Sequence, residues 1–139
     1  MKIPFMTIAI AILLSACNSV KSSATNELTS TFASSEPKPV VISNQRNLRA
    51  AVYVAGESAM VRVGEQSEQI LTGINPMLYQ DYSSVFFRTH DLDRDGLSEV
   101  AVLASTSFGG VNLCYDVFHY HLTSGKFTRR LENFYCTGR

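Results

Sequence analysis

Short runs of β-branched and aromatic residues, broken at close intervals by glycine, set the narrowest limit on how this chain folds. The runs cover residues 40–42, 51–55, 59–63, 69–71, 85–89, 99–104, 113–122 and 127–135. Gly56, Gly64, Gly73, Gly96, Gly109, Gly110 and Gly125 fall between them or at their edges. Branched and ring side chains suit a pleated, half-covered surface, and glycine supplies the positive φ of tight turns. This spacing predicts antiparallel hairpins, with Gly56-Glu57-Ser58 turning the first and Ser124-Gly125-Lys126 the last. No long segment repeats its apolar residues at the helical period. Residues 75–82, which include Pro76, read as a loop or a short helical turn. The expected fold is all-β: a small antiparallel sheet or sandwich, or a partial-propeller-like domain. The chain shows no internal repeat and is too short for a whole propeller.

The first residues follow another logic. Met1-Lys2 places one positive charge before an apolar stretch from Ile3 to Leu14, the layout of a secretory signal. The stretch is shorter than the roughly 20 apolar residues that span a bilayer. It ends in Leu14-Ser15-Ala16-Cys17, which resembles the lipobox of bacterial lipoproteins. That resemblance implies cleavage before Cys17, a diacylglyceryl group on its thiol and a further palmitate-type chain on its freed amine. Each buried CH₂ adds about 0.8 kcal/mol, so two or three chains make a stable membrane anchor. Asn18 is not acidic, and the resemblance then points to the outer membrane, with the protein facing the periplasm. The alternative is an ordinary signal peptide cut near Ala16, leaving Cys17 as a plain thiol.

Residues 1–16 are thus read as signal peptide. Residues 17–39 are a lipidated cysteine and a tether rich in serine and threonine, too poor in apolar surface to offset its ordering entropy. A short helix near residues 26–32 is the competing reading. Residues 40–139 are long enough for one small β-domain. Twelve basic residues face twelve acidic ones, and loss of Lys2 leaves the mature chain near −1. No basic field is present for nucleic acid. With Cys17 acylated, Cys114 and Cys136 remain as an even pair in a chain that matures where disulfides persist, so a Cys114–Cys136 bridge is expected; two buried free thiols are the alternative.

The densest chemistry lies in Asp91-Leu92-Asp93-Arg94-Asp95-Gly96-Leu97-Ser98-Glu99. Carboxylates at positions 1, 3, 5 and 9 repel one another unless a cation lies among them. Calcium takes six to eight oxygens, and alternate carboxylates in a tight loop converge on one ion. Gly96 permits the sharp turn that brings in the Leu97 carbonyl. The expected ligands are Asp91, Asp93, Asp95, Leu97 through its carbonyl, and Glu99, with Arg94 turned to solvent and the ion structural. The helical EF-hand fails, because its twelfth position is Val102. An acidic turn without metal is the alternative. Strand-like flanks and a closing acid at position 9 make the segment resemble the calcium hairpins of FG-GAP and integrin-type propeller repeats.

A second resemblance covers more of the chain. The acidic loop is followed by Ser107-Phe108-Gly109-Gly110-Val111-Asn112-Leu113-Cys114-Tyr115, then Val117-Phe118-His119-Tyr120 and Ser124-Gly125-Lys126-Phe127. This order resembles the periplasmic immunity lipoproteins that bind calcium and plug the cleft of lysozyme-like type IV secretion effectors. The resemblance implies a peptidoglycan-hydrolase partner, inhibition without catalysis, and an inhibitory contact made by Gly109, Gly110 and Tyr115. Residue by residue, the glycine pair also reads as a plain turn and Tyr115 as a strand aromatic. A structural or adhesive calcium-binding envelope lipoprotein without an enzyme target is the competing function.

Other candidates are weaker. His119 and His121, two apart on a strand, share a face and with His90 form a thin case for a transition metal; a polar strand face explains them as well. Lys126, Arg129 and Arg130 form a basic cluster that reads as solvated surface. Phe86-Phe87 reads as core. No nucleophile elbow, zinc-binding helix or phosphate-binding glycine loop is present, so no enzyme is expected.

Overall fold

The structure, a computed structural model, describes residues 34–138. The signal segment, Cys17 and the tether as far as residue 33 lie outside the described residues. The described chain forms strands β1 (Lys38–Ser43), β2 (Leu48–Ala55), β3 (Ser58–Val63), β4 (Gln69–Gly73), β5 (Phe87–His90), β6 (Glu99–Ser107), β7 (Asn112–His121) and β8 (Lys126–Gly138). Between β4 and β5 run the helix α1 (Pro76–Tyr82) and a 3-10 turn, Ser83–Val85. The domain is all-β, as the glycine-punctuated runs require. No helix among the described residues is long and apolar enough to cross a membrane.

The strands build two antiparallel four-stranded meanders, β1-β2-β3-β4 and β5-β6-β7-β8. Each meander follows from hairpins too short to permit any other partner. Ala55 faces Ser58 across the two-residue turn Gly56-Glu57, and His121 faces Lys126 across the turn that contains Gly125. The meanders lie together with β1 against β5 and β4 against β8. Gln69 stitches one such edge by imitating a strand. Its amide nitrogen donates to the Phe127 carbonyl at 2.6 Å, and its amide oxygen accepts from the Phe127 N–H at 2.9 Å. At another point the Ser98 N–H donates to the Ile42 carbonyl at 2.7 Å.

One core serves both sheets. Val52 faces Val61 and Val54 faces Ala59 in the first, all fully buried, in the same cluster as Val100, Val102, Phe118, Tyr120 and Phe127 of the second. The second sheet is buried on both faces, since Ala101, Leu103, Tyr115 and Val117, which alternate with those residues, are also under 5 % exposed. The segment between β4 and β5 explains part of this second cover. Asn75 caps α1 by accepting from the Met77 and Leu78 N–H groups, and Pro76 starts the helix where its missing N–H is not needed. Tyr79 sets its ring edge-on to Phe86, centroids 4.9 Å apart, and the Tyr115 hydroxyl donates to the Val85 carbonyl at 2.9 Å.

Two boundaries differ from the sequence reading. β1 opens at Lys38, and Ser35 already hydrogen-bonds both ways with Val54, so the end assigned to the tether belongs to the domain. Of the loop and the short helical turn expected for residues 75–82, the helical reading holds, with α1 spanning Pro76–Tyr82. Val85 sits in the 3-10 turn, so β5 begins only at Phe87.

Candidate metal centre

His90, the last residue of β5, faces Glu99, the first of β6, so the acidic segment is the tip of a hairpin. Backbone N–H groups of this tip take one oxygen from each of the four carboxylates. The Gly96 N–H donates to Asp91 Oδ2 at 3.0 Å, Asp95 N–H to Asp93 Oδ1 at 3.2 Å, and Leu97 N–H to Asp95 Oδ1 at 2.8 Å. The Leu92 N–H donates to Glu99 Oε2 at 2.8 Å. The loop achieves this by placing Arg94 and Gly96 at φ of 62° and 85°. Glycine accepts such a φ without strain; arginine accepts it at a cost.

Each carboxylate is left with a second oxygen, and these gather. Asp91, Asp93 and Glu99 form one group whose ligand atoms lie within 4.8 Å of one another, and Asp93, Asp95 and His119 form another. Asp91 Oδ1 is buried and has no hydrogen-bond partner. Glu99 Oε1 lies 3.0 Å from His119 Nδ1 and accepts from the Arg130 guanidinium at 3.3 Å. Asp93 Oδ2 accepts from the same guanidinium nitrogen at 2.7 Å, and Asp95 Oδ2 lies 3.9 Å from His119 Nε2. Partial desolvation alone would raise the Asp93 pKa. The Arg130 bond, the Asp95 amide and the charges of Arg130 and His119 outweigh it and hold that carboxyl below its ordinary range. The acidic cluster therefore meets the His119 ring from β7 and the Arg130 guanidinium from β8.

The five ligands expected from sequence all lie in this hairpin. Asp93 and Asp95 are exposed, Asp91 is half-buried, and Glu99 is 1 % exposed. Leu97 drives its side chain into the interior, 6 % exposed, which pins the turn that carries its carbonyl. Arg94 is exposed, as expected. What sequence reasoning missed is that His119 and Arg130 belong here. The three histidines do not gather into one site. His121 bonds Thr128 at 2.6 Å, and His90 lies outside both ligand groups. The expected basic cluster is likewise divided, with Arg129 paired to Asp116 and Arg130 to the acidic loop.

Cys114 and Cys136 face each other across β7 and β8 and are bridged, Cα atoms 4.1 Å apart. Gly109 and Gly110 sit at the β6–β7 tip with φ of 65° and 85°. Gly110 is fixed by crowding as well, because any Cβ there would collide with the Tyr82 hydroxyl. Tyr115 is a correction: it is fully buried, so it makes no surface contact with a partner. The exposed residues of the tip are instead its neighbours Phe108 and Val111. Behind the acidic loop lies a cavity of about 300 Å³ lined by Arg88, His90, Leu92, Glu99, Ala101 and Tyr135, among others. Comparison with protein-family models, with curated proteins and with solved structures finds no match to this chain.

Proposed function

We propose that this chain is an envelope lipoprotein whose β-domain is braced by calcium in the loop 91–99 and blocks the cleft of a peptidoglycan hydrolase, protecting the cell as an immunity protein. The observation that carries the reading is the β6–β7 tip. Of the five large exposed apolar residues among the described ones, two, Phe108 (81 %) and Val111 (58 %), sit within this four-residue turn. Burying such side chains in a partner's cleft removes apolar area from water, and a rigid mount lowers the ordering cost. The mount is rigid by construction. β6 runs from Glu99 in the acidic loop to Ser107 at the tip, and Cys114 ties the returning strand to β8.

The donor set suits calcium, a hard cation that takes carboxylate and carbonyl oxygens. Asp91, Asp93, Asp95 and Glu99 would hold it, with the Leu97 carbonyl. The support is Asp91 Oδ1, a buried carboxylate oxygen with no partner, together with loop N–H groups that leave one oxygen of every acid for an ion. The ion would supply positive charge among the acids and stiffen the hairpin.

The test is a wall-hydrolysis assay with lysozyme-like enzymes and the full chain carrying Cys17→Ser. The chain should slow at least one enzyme, and Phe108→Asp should weaken that inhibition by tenfold or more without changing the melting temperature. No slowing of any enzyme, or equal inhibition by the variant, would overturn the proposal.

A further inference from the structure

We infer that Arg130 is a resident counter-ion of the acidic loop, competing with calcium for the same oxygens and setting how tightly the loop binds the ion. The inference rests on the calcium reading and adds a residue that lies outside the loop.

The geometry is specific. One guanidinium nitrogen bridges Asp93 Oδ2 at 2.7 Å and Glu99 Oε1 at 3.3 Å. Asp93 and Glu99 are two of the three acids of the all-carboxylate group, the third being Asp91. Their other oxygens each accept one loop N–H bond. An ion held by Asp91, Asp93 and Glu99 therefore shares these carboxylates with the Arg130 guanidinium or displaces it. Guanidinium carries its charge at every working pH, so the competition is permanent. The Arg130 side chain is 33 % exposed, which gives it open water to move into. Glu99, at 1 % exposed, has no such freedom.

The guanidinium supplies positive charge to Asp93 and Glu99 within the cluster. Displaced, Arg130 would present a released base on β8, the strand that also carries Lys126, while Arg129 stays paired with Asp116, so occupancy of the loop would change the charge of that strand's surface. Arg130 stands at the last regular pairing before β8 slips by three residues against β7, between Val117↔Arg130 and Tyr115↔Tyr135.

The experiment is calorimetric titration of calcium chloride into the full chain carrying Cys17→Ser, disulfide intact. Arg130→Met should bind calcium at least about tenfold more tightly, a difference of roughly 1.4 kcal/mol. Arg130→Gln, which keeps hydrogen-bond donors but drops the charge, should gain similarly and guards against misfolding of the first variant. Arg130→Lys should fall between these variants and wild type. Without calcium, Arg130→Met should melt lower than wild type, and its melting point should rise further on adding the ion. If wild type binds and both neutral variants bind equally or more weakly, the competition is refuted while the calcium reading stands. If none of the proteins binds calcium, both fall together.

Discussion

Glu99 accepts from the Leu92 N–H, faces His119 and meets Arg130, all while 1 % exposed. Its charge is thus solvated by the protein rather than by water. Glu99→Gln keeps the shape but loses the charge-assisted bonds and should cost about 1–3 kcal/mol of unfolding free energy, read by urea denaturation. Tyr115 offers a second single-residue test. Burial pushes its phenol pKa above the ordinary value, and the Arg88 guanidinium, 5.3 Å above the ring, opposes this only in part. A raised folded-state pKa means the stabilisation is complete below the unfolded value near 10 and is lost as pH rises through the folded value. Burial raises Tyr53 as well, so absorbance titration should show a late-ionising tyrosine fraction that Tyr115→Phe reduces without abolishing. The four acids and Gly96 were legible from spacing alone, because the loop N–H bonds are local. His119 and Arg130 were not. Their proximity to Glu99 depends on the register of β6, β7 and β8, which no local pattern states.

At the scale of elements, the strands with strong β-branched content were readable to within a few residues, and the misses have physical causes. Val85 suits a strand, yet its carbonyl accepts from the Tyr115 hydroxyl and the chain there is wound into a 3-10 turn. α1 has seven residues, too few for a helix to persist by propensity, and it stands because Asn75 caps it and Tyr79 packs on Phe86. β7 and β8 hold the cross-strand bridge between residues 22 apart. A closed loop of that size contributes about 3 kcal/mol through the unfolded state. Replacing both Cys114 and Cys136 by serine should lower the unfolding free energy by about 2–4 kcal/mol, read by thermal or urea denaturation. Gly110→Ala is predicted to loosen the β6–β7 tip, both for its φ of 85° and for the Tyr82 hydroxyl in its way. Amide exchange at Phe108 and Val111 should speed up in that variant while the core amides stay unchanged.

For the molecule as a whole, two meanders share one core, and each end of the second has a separate brace. The acidic loop closes β5–β6 at one end. The disulfide secures β7 to β8 near the other, beside the exposed tip. The fold class followed from hairpin spacing, whereas the stacking of β1 on β5 and β4 on β8 did not, since it depends on contacts such as Gln69 with Phe127, 58 residues apart. Central to the proposed function is uptake of calcium by the loop 91–99 through carboxylate oxygens of its four acids. Its most direct test is a pair of thermal melts of the full chain carrying Cys17→Ser, in calcium and in chelator, repeated with Asp91→Asn. A higher melting temperature in calcium is expected for the unaltered loop, and little or no difference for Asp91→Asn. Superimposable melts for the unaltered loop in calcium and in chelator would contradict it.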